Sequence, residues 1–167
     1  MTKIYTKTGD QGQTGTFYGR MSKDAQLAKA LGSIDELNSA IGVCRHTTPL
    51  DEELKQIQKN LLTIGSSLSG SEIKISSTET RNLEKLIDKL TKELPKLSNF
   101  IYPKGNLQLA RAVARRAERE VVQLSILNSQ LSIKDILKYL NRLSDALFTL
   151  GRWVNYKIGI EEEVWKA

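Results

Sequence analysis

From Asp24 onward, apolar residues return every three or four positions, the period of an amphipathic helix, and that pattern restricts the chain more than any other feature. Leu27, Leu31, Ile34 and Ile41 form one stripe. Leu54, Ile57, Leu61, Ile64 and Leu68 form a second, opened by Asp51, Glu52 and Glu53, where a helix N-terminus favours negative charge. Leu83, Leu86, Leu90 and Leu94 form a third, which Pro95 ends because proline lacks the N–H and collides with the preceding turn. A fourth runs from about Leu107 to Leu127. The fifth begins at the capping-box-like Ser132-Ile133-Lys134-Asp135 and continues through Leu140, Leu143, Leu147 and Leu150. Pro49, Pro95 and Pro103 all fall between stripes. The expected fold class is all-α, a five-helix up-and-down bundle with short connections.

The first 23 residues break this pattern. They carry Gly9, Gly12, Gly15, Gly19 and five threonines with few aliphatics, which reads as a short strand followed by an ordered loop. The organisation expected is a single domain over 1–167: a loop over 1–23, the bundle over 24–158, and a frayed or loosely docked tail over 159–167. A chain of 167 residues can bury a core of its own. No apolar run approaches the roughly 20 residues of a membrane span. The opening Met1-Thr2-Lys3-Ile4-Tyr5 does not read as a signal peptide, and the single Cys44 cannot form an internal disulfide, so a cytoplasmic location is expected.

A net charge of +6 favours an anionic partner, but the basic residues are not gathered into a tail or block. Thr6-Lys7-Thr8-Gly9-Asp10-Gln11-Gly12-Gln13-Thr14-Gly15-Thr16 has what a polyphosphate needs: glycines that let N–H groups converge, hydroxyl donors, and the charge of Lys7. It contains neither G-x-x-x-x-G-K-[ST] nor G-x-G-x-x-G, and its composition alone also suits a hairpin-rich surface loop. Further on, Arg111, Arg115, Glu118 and Arg119 share a helix face, with Leu109, Val113, Ala117, Val121 and Leu124 on the other. Arginine forks suit phosphate or a subunit interface, while the same spacing also suits a solvated face stitched by Arg–Glu pairs. Asp35 sits among Leu31, Ile34 and Asn38, where a carboxylate needs an arginine from another helix or another subunit. Asn141 and Asp145 share a face beside the core, as ligand contacts or as helix-to-helix hydrogen bonds. Cys44 and His46 are the chain's only residues of their kinds, too few for a metal site, and two residues apart they do not face each other on a helix.

Five segments, in order, resemble the ATP:cob(I)alamin adenosyltransferases of the propanediol-utilisation type. They are Ile4-Tyr5-Thr6-Lys7-Thr8-Gly9-Asp10-x-Gly12, the run from Gly32-Ser33-Ile34-Asp35-Glu36-Leu37-Asn38 to Gly42, Phe100-Ile101-x-Pro103, Arg115-Arg116-Ala117-Glu118-Arg119, and Tyr139-Leu140-Asn141-Arg142-Leu143-Ser144-Asp145. The chain departs from the family at Pro103-Lys104-Gly105, in a shorter stretch before the arginine helix, and at Gln108, near a usual histidine.

The resemblance implies a homotrimer with active sites between subunits, using ATP as co-substrate with Mg²⁺ and a cobalamin-type corrinoid as substrate. It implies ATP contacts from Thr6, Lys7, Thr8, Gly9, Thr14, Gly15 and Lys23, and from Arg115, Glu118, Arg119 and Asn141. Asp35 and Arg111 resemble a salt-bridged pair across the subunit boundary. Phe100 resembles the aromatic residue that closes the lower face of the corrin. A corrin reductase and a B12-dependent enzyme are the expected partners, with no role for nucleic acid or a membrane. Cobalt(I) is itself a strong nucleophile, so the scarcity of His and Cys fits this chemistry, which leaves the protein to orient substrates and stabilise leaving charge. The alternatives are a basic helical bundle that binds nucleic acid and a non-enzymatic ATP sensor.

Overall fold

The computed structural model describes residues 3–127 and 133–166. Five helices account for most of them: α1 Gln26–Arg45, α2 Asp51–Leu68, α3 Ser77–Thr91, α4 Asn106–Leu127 and α5 Lys134–Lys157. Each expected stripe falls within its helix, except that α3 ends at Thr91, before Leu94. The first turn of α2 carries Asp51, Glu52 and Glu53 as read, and α3 is capped by Ser76, whose side chain accepts from Thr78 N–H at 3.2 Å. Ser132 lies outside the described residues; α5 starts at Lys134, with Ile133 at its N-cap and no side-chain cap.

Helix α4 packs between α1 and α5, α2 packs on α1, and α3 on α5. Gln26 in α1 donates to the Glu120 carbonyl and carboxylate in α4, and Arg116 in α4 pairs with Glu36 in α1, so these two helices run antiparallel. The core includes Leu37, Ile41, Leu54, Leu61, Leu140, Leu143 and Leu147, all without solvent exposure. Within it, Asn60 Nδ2 donates to Glu79 at 2.9 Å and to the Tyr139 hydroxyl at 3.1 Å, joining α2, α3 and α5. Burial pushes the Tyr139 phenol far above its ordinary value, so it stays neutral.

Two expectations are corrected. Among the described residues no strand precedes the loop as expected, and Ile4 there is fully exposed. The loop comes first, followed by an antiparallel hairpin of β1 Gln13–Thr16 and β2 Gly19–Ser22, with Thr14 opposite Met21 and Gly15 opposite Arg20. On α4, Leu109 is 64% exposed rather than buried. The buried face is Leu107, Ala110, Val113, Ala114, Ala117, Val121 and Leu124, because alanines let α1 and α5 approach closely. Of the two states expected for the tail, the structure shows the docked one: Ile101 and Val164 form an antiparallel bridge, and Glu162 pairs with the buried Arg152.

Candidate active site

The N-terminal loop is built from two successive turns, Asp10 N–H to the Lys7 carbonyl at 3.3 Å and Gly12 N–H to the Gly9 carbonyl at 3.1 Å. Lys7 stands at φ 59°, the left-handed region that disfavours side chains, so part of the loop's geometry is held against local preference. Lys23 closes the loop from its far end, its N–H donating to the Gly12 carbonyl at 2.8 Å and its Nζ to the Gly9 carbonyl at 3.2 Å. Arg20 donates to the Thr8 carbonyl and to Gln13 Oε1. Arg20 and Lys23 thus bring two cations to the loop that carries Lys7, where the Thr6 and Thr8 hydroxyls lie 2.8 Å apart. The hairpin tip is seated on α2: Phe17 N–H donates to the Ser69 carbonyl at 3.0 Å, and Tyr18 lies against Gly70.

On α4, Arg115 and Arg119 are exposed, and Arg119 Nη1 folds back to the Arg115 carbonyl at 3.1 Å. Glu118 accepts from Asn141 Nδ2 on α5 at 3.1 Å, which orients both. Arg116, next in sequence to Arg115, points elsewhere and pairs with Glu36. Asp145 pairs with Arg142, which also reaches Glu84, so this carboxylate serves an α3–α5 tie. Opposite charges hold the Arg142 guanidinium above its ordinary value, chiefly the hydrogen bond to Glu84.

Asp35 is exposed in the single chain rather than lodged in the core, because Ile34 and Leu37 turn inward and leave it at the helix edge. Among the described residues it forms no ion pair, and Arg111 does not reach it. It borders a groove of about 300 Å³ between α1 and α2, lined by Leu31, Ile34, Asn38, Leu61 and Leu62. Asn38 Oδ1 is buried there without a hydrogen-bond partner, and Leu62 is 62% exposed. Phe100 lies in the linker between α3 and α4, and its side chain is 78% exposed, which excludes a place in a satellite core.

The sequence reading gave no role to Arg20, and noted Gln108 only as a departure from the family. Arg20 carries no pattern beyond its nearness to the loop. Gln108 is only 5% exposed, donates to the Phe148 carbonyl on α5 at 3.3 Å, and accepts from Arg111 Nε at 2.9 Å. It fits because position 151 is glycine; a Cβ there would come within 2.7 Å of Gln108 Nε2. Cys44 is fully buried, burial pushes its thiol up, and His46 is exposed at the end of α1. Among the described residues no three His, Cys, Asp or Glu side chains converge as a metal site, and no helix is long and apolar enough to cross a membrane.

Residues 4–154 match the family model for cobalamin adenosyltransferase. The chain is 42% identical to corrinoid adenosyltransferase MMAB of Homo sapiens, over 98% of this chain and 73% of that protein. It is 41% identical to the corrinoid adenosyltransferase of Bacillus subtilis (strain 168), over 95% of this chain and 89% of that one. It superposes with a TM-score of 0.92 on a variant PduO-type ATP:corrinoid adenosyltransferase from Lactobacillus reuteri complexed with cobalamin and ATP, at 34% identity, covering 99% of this chain and 100% of the other. With the five helices, the Gly/Thr loop and the arginine face in place, the chain belongs to the cobalamin adenosyltransferase family.

Proposed function

We propose that the protein is an ATP:corrinoid adenosyltransferase whose sites are completed between subunits of a homotrimer. Cobalt(I) of the reduced corrinoid attacks C5′ of ATP. The cobalt–carbon bond forms as the C5′–oxygen bond breaks, and triphosphate departs with the electron pair. The carrying observation is a site in two open halves. The loop offers Lys7 and Lys23, α4 offers Arg115 and Arg119, and among the described residues no hydrogen bond or ion pair joins the two within one chain.

In this reading Thr6, Lys7, Thr8, Gly9, Thr14 and Gly15 wrap the nucleotide, and Lys23 both fixes the loop and faces the polyphosphate. Arg115 and Arg119 take the charge that develops on the leaving oxygen, where fixed guanidinium donors stabilise the transition state more than the ground state. Glu118 and Asn141 hold each other in register to contact the nucleotide. Mg²⁺ would be held on the triphosphate, with at most one or two carboxylates such as Glu118 as protein ligands. Its contribution is to neutralise phosphate charge.

The trimer is supported by the groove beside Asp35. The unpartnered Asn38 oxygen, the exposed Leu62 and an unpaired carboxylate together call for a donor and an apolar cover from outside the chain. Arg111 of a second copy supplies the cation. Phe100 caps the lower face of the corrin. A cytoplasmic location, a corrin reductase supplying electrons and a B12-dependent enzyme taking the product complete the proposal. No part is proposed for nucleic acid; Arg116, Arg142 and Arg152 are engaged in ion pairs.

The test is to mix the protein with ATP and chemically reduced cobalamin and follow adenosylcobalamin by visible absorbance and triphosphate by chromatography. Both should form in equal amounts. ATP binding without turnover would leave the sensor reading in place of this one.

A further inference from the structure

An apolar cap works only if it stays in one place, yet the Phe100 ring is 78% exposed and has little packing of its own to hold it. The backbone on either side of it is held instead. Trp165 N–H donates to the Phe100 carbonyl at 2.8 Å, and Tyr102 N–H donates to the Glu163 carbonyl at 2.9 Å. Between them Ile101 and Val164 form the bridge, while Asn99 Nδ2 reaches the Trp165 carbonyl and Lys104 pairs with Glu163. The tail and the linker make a two-stranded strap, and a strap this short is marginal unless its ends are tied.

One buried guanidinium ties them. Arg152 on α5 is 6% exposed, an unusual depth for a charge. It gives Nε and Nη2 to the two carboxylate oxygens of Glu162, just before the tail strand, and Nη2 also to the Pro95 carbonyl at 2.9 Å, in the linker upstream of Phe100. Its edge also lies over the Phe148 ring. Bundle packing alone gives no reason for it, since an apolar residue at such a position stabilises as well or better. A planar fork with donors fixed in direction is what one group needs to hold two separate segments at once.

We infer that Arg152 is a positioning residue for the corrinoid side: through Glu162 and Pro95 it anchors the strap that fixes the backbone of Phe100. The inference rests on the reading of Phe100 as the cap of the corrin. Arg152 touches no substrate; it acts through the ring.

The experiment measures adenosylation by two routes, from cob(II)alamin with ATP and a reductant, and from cobalt(I) cobalamin supplied ready-made in excess. Arg152→Lys keeps the charge and loses the fork. It should slow the cobalt(II) route by up to about a hundredfold, the loss that a misplacement of about 1 Å produces. The cobalt(I) route should keep its rate. In a Phe100→Ala background, Arg152→Lys should add nothing, because the ring it positions is gone. A second variant, the chain ended after Glu162, retains the clamp but lacks the bridge, and should show the same selective loss should Arg152→Lys fold poorly. The inference is overturned if both variants keep the cobalt(II) route. It is equally overturned if Arg152→Lys costs the same factor with and without Phe100, since that is what a merely structural residue does. If Phe100→Ala alone leaves the cobalt(II) route intact, the cap reading itself fails and takes this one with it.

Discussion

Arg115 and Arg116 are neighbours in sequence with opposite surroundings, and replacing each by alanine should have opposite consequences. Among the described residues the Arg115 guanidinium has no hydrogen bond or ion pair; only its carbonyl is used, by Arg119. Arg115→Ala should therefore change stability by no more than about 0.5 kcal/mol, as an exposed site away from packing does. For a chain of this size, that is a melting shift of at most about 2 °C. If its guanidinium faces the departing triphosphate, activity should fall by about 10²–10³, or roughly 2.7–4 kcal/mol, the range for losing one donor to developing charge. Arg116 instead pairs with Glu36 across α1 and α4, both side chains about half exposed at 46% and 54%. Such a pair contributes about 0–1 kcal/mol, so Arg116→Ala should melt a few degrees lower and turn over within about threefold of the parent. Initial rates of adenosylcobalamin formation across an ATP titration, with melting curves alongside, decide it. The loss for Arg115→Ala should fall on kcat as well as on KM, since a contact that strengthens in the transition state is removed. Turnover within tenfold of the parent for Arg115→Ala, or an Arg116→Ala defect equal to it, would refute the assignment of the face.

Phe100→Ala should cost little stability: with about a fifth of a ring of about 200 Å² covered, roughly 25 cal/mol per Å² gives about 1 kcal/mol. A melting loss of ten degrees would return the ring to the core. Leu62→Glu, placed in the groove beside Asp35, should shift sedimentation from trimer toward monomer without unfolding the bundle, and an unchanged trimer would place the interface elsewhere. Cys44→Ser with His46→Gln should retain adenosylation, and native Cys44 should resist alkylation at neutral pH because it is buried with a raised pKa; rapid labelling would contradict both burial and bystander status.

The helices were legible because their signal is local: Leu54, Ile57, Leu61, Ile64 and Leu68 repeat within one element and all are buried. The same periodicity misplaced Leu109, since it finds the stripe but not how widely neighbours cover it, and the alanines at 110 and 114 decide that. Asp35 was read into the apolar stripe with an arginine of another helix or another subunit as partner; one position on the helix edge leaves it exposed in the single chain. An ordered loop was legible from the glycines and threonines of the first 23 residues, yet the contacts that fix it, Arg20 to Thr8 and Lys23 to Gly9, pair residues that no local pattern marks. The tail was left open between frayed and loosely docked, and what docks it lies outside any local pattern. Arg152 with Glu162, and Glu163 with Tyr102, are tertiary choices between segments that individually look like any polar surface.

Gly151 imposes a constraint of another kind, on which sequences this fold can accept. A glycine within α5 costs about 1 kcal/mol relative to alanine, and here the space it leaves is filled by the amide of Gln108, which in turn holds Arg111. The two positions cannot drift separately. Alanine at 151 gains helix propensity but evicts the amide. A bulkier group at 108 loses its room unless 151 stays bare. Lineages of this fold that carry a side chain at 151 should carry a smaller residue than glutamine at 108, so the pair should co-vary across homologues. Of the two single changes, the one at 151 should be tolerated only after the one at 108 has occurred.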